Sequence, residues 1–187
     1  VLLSGVAGLL AGAFSMAAGE YVSVRSQREM YEHQIDLERN ELAEYPEEEA
    51  EELALIYAAR GMPIEEARGY AQKTIADPER ALLTLAREEL GLNPEELGSP
   101  WGAAISSFCS FAIGAAIPLI PFMLLGGSRA LAVSVAATAL ALFAVGASIS
   151  LFTGRSALKD GTRMLAIGVM AGAVTYCIGY LIGVNVS

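Results

Sequence analysis

Bases are scarce: twelve lysines and arginines face twenty-one aspartates and glutamates, for a net charge of −9. A surplus of that sign repels phosphate backbones, which argues against nucleic acid as a partner. Cysteine occurs only twice, as Cys109 and Cys177, with no CxxC spacing, so neither a disulfide framework nor a thiolate metal site is expected. Both lie in apolar runs and read as small buried hydrophobes. No nucleophile-and-base pair, phosphate-cradling P-loop or dinucleotide fingerprint occurs in the chain, so an enzyme or an ATP-driven pump is not expected. The opening run also lacks the charged start and cleavage site of a signal peptide, and the chain reads as a piece of a longer one.

What the chain has in abundance is apolar length. Hydrophobic residues make up 54% of its 187 positions, a composition that points to the membrane. Four segments approach the roughly 20 residues needed to cross a bilayer: Val1 to about Val24, Trp101–Leu125, Arg129–Phe152 and Met164 to about Val184. The expected class is therefore an all-α polytopic membrane protein with four spanning helices and an inserted helical domain. Residues 1–28 form the first span and its exit, 29–98 the inserted acidic domain, and 99–187 three further spans. Pro118 and Pro121 should kink or interrupt the second span. Gly5, Gly8, Gly12, Gly168, Gly172, Gly179 and Gly183 would let helices approach closely.

Charge is unevenly placed. Residues 29–96 hold nineteen acids and six bases, a net −13, which leaves +4 for the rest. Arg25 and Arg28 follow the first span, and Arg155, Lys159 and Arg163 sit between the last two, which puts both regions on the cytoplasmic side. The acidic segment should be helical. Pro46 with three glutamates opens one helix that closes at Arg60-Gly61; Pro63 opens another, and Asp77-Pro78-Glu79 a third that closes at Gly91.

Within it, Glu38 and Glu41 are three apart on one helix, and Glu49 and Glu52 three apart on the next, with Pro46 turning the chain between them. Residues at i and i+3 share a helix face, so a hairpin would bring both pairs together as carboxylates gather in helical di-metal sites. Oxygen ligands in that number suit divalent cations. The competing possibility is a solvated acidic face. Glu29, Glu32 and Asp36 fall on another face and read as a cation-attracting vestibule or as solubilising charge. Met16 and Glu20, one turn apart near the end of the first span, are candidates for a translocation path. His33, the only histidine, reads first as a surface residue and second as an outlying ligand, beside Glu32 and Glu88.

The run Ser15-Met16-Ala17-Ala18-Gly19-Glu20-Tyr21, the hairpin from Glu38-Arg39-Asn40-Glu41-Leu42 through Pro46 to Glu49 and Glu52, the helix end Arg87-Glu88-Glu89-Leu90-Gly91 and the span Ile117-Pro118-Leu119-Ile120-Pro121 together resemble the vacuolar iron transporter family, over nearly the whole chain. The resemblance implies a five-helix membrane protein that works as a homodimer and carries Fe2+ or Mn2+ out of the cytosol by proton antiport. It also implies no permanently bound cofactor. By motif, the metal-collecting residues would be Glu38, Glu41, Glu49, Glu52 and Glu89, with Met16 on the path. The resemblance also implies an earlier helix with an essential aspartate, absent here, without which this segment should not transport, and in some bacterial relatives an upstream ferritin-like domain. Plant members place a methionine where this chain has Leu85, a carboxylate where it has Gly8, and a glycine where it has Glu20. The expected setting is a bacterial-type inner membrane in preference to a vacuolar one. A membrane-anchored metal buffer or sensor is the alternative, and a metal-free dimerisation domain a third possibility.

Overall fold

The structure, a computed structural model, describes residues 2–186; Val1, the expected start of the first span, lies outside them. Seven helices follow one another: α1 (Leu2–Glu44), α2 (Pro46–Ala59), α3 (Ile64–Ile75), α4 (Pro78–Glu88), α5 (Pro100–Leu124), α6 (Gly127–Thr153) and α7 (Ala157–Val186). Four of them, α1, α5, α6 and α7, are long and apolar enough to cross a membrane, with mean hydropathies of 1.7 to 2.2 over their best windows. Few side chains in those windows are buried, as suits helices whose solvent is lipid. The chain is an all-helical polytopic membrane protein.

At 43 residues, α1 is about 65 Å long. A hydrocarbon core of about 30 Å accounts for its apolar half. The remainder, from about Arg25 onward, carries the charged residues out of the bilayer.

Two compact units divide the chain within α1 and α5: Val1–Ser15 with Phe108–Ser187, and Met16–Ser107. In the first unit, Gly12 leaves room for the Phe111 ring, which a Cβ there would meet at 2.3 Å. Phe14 and Phe108 add an edge-to-face pair with centroids 5.1 Å apart. The α6–α7 hairpin turns at Gly154 and brings backbone close to backbone at Gly146, whose added Cβ would lie 2.5 Å from the Asp160 carbonyl oxygen.

Three expectations need correction here. The prolines do not interrupt α5, which runs unbroken through Pro118 and Pro121; beside them the Ser134 hydroxyl of α6 donates to the Pro118 carbonyl at 2.8 Å. The glycine stripe is used only in part, because Gly8, Gly172, Gly179 and Gly183 meet nothing within 4 Å. Cys109 and Cys177 are exposed rather than buried, since span surfaces that would face lipid or another chain are open in a single chain.

The second unit has its own core: Leu42, Leu53, Ala54, Ala67, Ala71, Ala81 and Leu85, flanked by Tyr57, Met62, Ile75 and Leu82. Alanines let the short helices pack closely, and Leu53 and Leu85 fill the centre, both fully buried. Stops are explicit. After α2, Gly61 at φ 101° lets its own N–H reach Ala58 and that of Met62 reach Tyr57, a Schellman closure. The Asp77 side chain accepts from the Arg80 N–H to cap α4, and Pro78 starts it. The Tyr21 and Trp101 rings meet at a tilt of 58° with centroids 5.0 Å apart, amphipathic rings of the kind that mark a membrane interface.

Candidate metal-collecting site

Each buried leucine of that core has a glutamate one helical turn away. Leu42 follows Glu38 by four residues on α1, Leu53 follows Glu49 by four on α2, and Leu85 precedes Glu89 by four at the end of α4. Positions four apart lie on one helix face, so the leucines that pack the core also converge the three carboxylates. One oxygen from each of Glu38, Glu49 and Glu89 lies within 4.8 Å of the other two. Glu38 is 3% exposed and Glu49 6%, while Glu89 is exposed at the rim.

The electrostatics are adverse for an empty site. Burial, then the charges of Glu89, Glu49 and Glu41, push the Glu38 carboxyl up to about 7, and a hydrogen bond to Glu49 holds its proton in place. Burial and the charges of Glu52, Glu89 and Glu41 raise Glu49 to about 6. Glu89 is also raised, by burial first and then by Glu52 and Glu41. Glu38 Oε1 is buried without a hydrogen-bond partner. Buried acceptors normally find donors, and this one belongs to a carboxylate of the cluster, where a cation could supply what is lacking.

Helix ends contribute in opposite senses. Glu49 lies in the first turn of α2, where the dipole favours negative charge. Glu89 is the C-cap of α4, where the dipole opposes it. Leu85, one turn before Glu89, is fully buried in the core and brings no ligand atom to the set.

The other expected residues are placed as follows. Glu41 and Glu52 are exposed beside the three, near enough for their charges to act on them. Glu88, adjacent to Glu89, turns instead to an ion pair with Arg60. Glu32 is held by Arg28 at 2.7 Å, and His33 is exposed outside the cluster. The vestibule reading loses ground: Glu29 pairs with Arg25 at 2.6 Å and Asp36 with Arg39, so much of that face is neutralised. Met16 is 48% exposed, and Glu20 is exposed too.

One acid went unremarked in the sequence. Asp160, at the start of α7, is 5% exposed. Its Oδ2 is buried and unpartnered, and Arg163 approaches Oδ1 only to 3.8 Å. The signal was there, since Asp160 is the only acid after residue 96.

Comparison with known proteins gives a consistent answer. The model of the VIT family matches residues 1–180. A vacuolar iron transporter of Acanthamoeba castellanii is 35% identical over 182 residues, 97% of this chain and 69% of that protein. Vacuolar iron transporter 1 of Arabidopsis thaliana is 31% identical over 183 residues, 97% of this chain and 73% of the plant protein. Vacuolar iron transporter homolog 1 of Oryza sativa subsp. japonica is 34% identical, covering 99% of this chain and 61% of its own length.

Proposed function

Because this chain belongs to the VIT family, and is thus an integral membrane metal transporter and not an enzyme, we propose that it carries Fe2+, and Mn2+ by the same chemistry, out of the cytosol in exchange for protons. Glu38, Glu49 and Glu89 collect the ion, with Glu41 and Glu52 drawing it in. The observation that carries this is the convergence of three carboxylates from three helices, two of them buried and one with an orphaned oxygen.

In the empty state near neutral pH, Glu38 retains a proton that an ordinary carboxyl would have lost. An arriving divalent ion replaces like-charge repulsion with ligation and displaces that proton. Metal entry and proton release are then one event, the elementary step an exchanger needs. Met16 and Glu20 offer a thioether and a carboxylate one turn apart on α1 for the ion's onward passage. Their exposure in a single chain fits a path completed by a second copy, a homodimer. The acidic segment is cytosolic.

Transport by the full-length protein in sealed vesicles, with Fe2+ on the side of the acidic domain and an internal iron-sensitive dye, tests the proposal. Wild-type protein should load the vesicles and move protons the other way. The Glu38→Gln/Glu49→Gln variant should fall at least tenfold. Unchanged flux in that variant would remove the collecting role, and metal binding without flux in the wild type would make the protein a buffer or sensor.

A further inference from the structure

The arginines of the helical domain are mostly spent on acids: Arg25, Arg28, Arg60, Arg68 and Arg87 each close on a glutamate. The α6–α7 hairpin end is different. Arg155, Lys159 and Arg163 stand there at four-residue intervals, all exposed. Arg155 and Lys159 have no acidic partner among the described residues, and Arg163 has only the inward-turned Asp160, 3.8 Å away. Three cations thus share one end of a hairpin with a single, buried counter-charge.

Large apolar side chains lie open beside them. Phe152 is 92% exposed and Leu151 82% on the last turn of α6, and Leu158 is 66% exposed on the first turn of α7. On helices that span a bilayer, open side chains of that size belong among acyl chains. The adjoining bases then fall at headgroup depth, and Arg163, farther along α7, can reach the same level by extending its side chain. Apolar tails below and fixed positive charge above are complementary to one kind of molecule.

We propose that this hairpin end is a binding site for anionic phospholipid, with Arg155, Lys159 and Arg163 holding the phosphate and Leu151, Phe152 and Leu158 lying along the acyl chains. A free phosphate offers the same charge but nothing for the apolar half to cover. A merely topological role for the bases, setting orientation during insertion, predicts no retained lipid at all.

The test uses the full-length protein in nanodiscs of phosphatidylcholine with or without phosphatidylglycerol. It reads retained lipid by native mass spectrometry and the thermal midpoint. Phosphatidylglycerol should stay bound in preference to phosphatidylcholine and raise the midpoint, whereas inorganic phosphate added to phosphatidylcholine discs should do neither. Retention should weaken about fivefold for each base neutralised, in Lys159→Gln alone and cumulatively when Arg155→Gln and Arg163→Gln are added. Arg129→Gln, at the other end of α6, should leave it unchanged. Fe2+ binding at the Glu38, Glu49 and Glu89 carboxylates, measured in the same discs, reports whether each variant is folded, and Lys159→Gln, at an exposed position, gives the answer if the triple variant is not. Equal retention by wild type and Lys159→Gln, no preference for phosphatidylglycerol, or protection by inorganic phosphate alone would each overturn the proposal.

Discussion

Glu38 is a carboxyl whose surroundings disfavour its charged form from every side, and its behaviour with pH follows. Its value is raised from the ordinary 4.5 to about 7, by burial first, and that of Glu49 to about 6. Between about 4.5 and 7 the folded, metal-free chain therefore binds protons that an unfolded chain releases. These groups stabilise the fold fully below the unfolded value, and the contribution is lost as pH rises through the folded one. A bound cation cancels the loss, so the rise in thermal midpoint caused by anaerobic Fe2+ should grow from pH 5.5 to pH 7.5, read by scanning fluorimetry. Affinity should weaken about tenfold per pH unit below 7 for each proton displaced. Glu38→Gln should raise the metal-free midpoint at pH 8 while weakening Fe2+ binding at least tenfold. If both quantities fall together, the side chain is structural rather than a ligand.

Elements turn single residues into a site. The ExxE pairs and the Pro46 turn were legible in the sequence because their spacing is local, and the α2 to α4 starts and stops were legible through proline, Asp77 and Gly61. The place of Glu89 was not legible from spacing, being set by the packing of α4 against α2 through Leu85 and Leu53; only family resemblance pointed to it. Leu53→Ala and Leu85→Ala should each cost about 2–5 kcal/mol in denaturant unfolding of the helical domain and weaken Fe2+ binding although neither residue is a ligand. The expected interruption at the prolines is not seen: α5 continues as one helix through Pro118 and Pro121, and the Ser134 hydroxyl ties the Pro118 carbonyl to α6. On α6, Gly146 faces backbone at 2.5 Å. Gly146→Leu should wedge the hairpin open at a cost of about 1–3 kcal/mol, seen as a lowered thermal midpoint in detergent, whereas Gly172→Ala, with open space around it, should be close to neutral.

Across the whole molecule, charge and hydropathy are sorted into two environments. Four apolar helices supply the membrane part, and the acids gather on helices that pack around their own small core. That division was plain in the sequence, since hydrocarbon admits long apolar helices and excludes a segment that holds nineteen acids. Which acids face one another was not plain, because a pairing such as Arg60 with Glu88, between residues on different helices, is decided only in three dimensions. Anaerobic Fe2+ titration of the full-length protein by calorimetry, in buffers of differing ionisation heat, bears most directly on the three-helix carboxylate site. Wild-type protein should bind Fe2+ with protons released, and Glu38→Gln/Glu49→Gln should show neither binding nor release. Undiminished binding by that variant, or binding by the wild type with no proton released at pH 6.5, would contradict it.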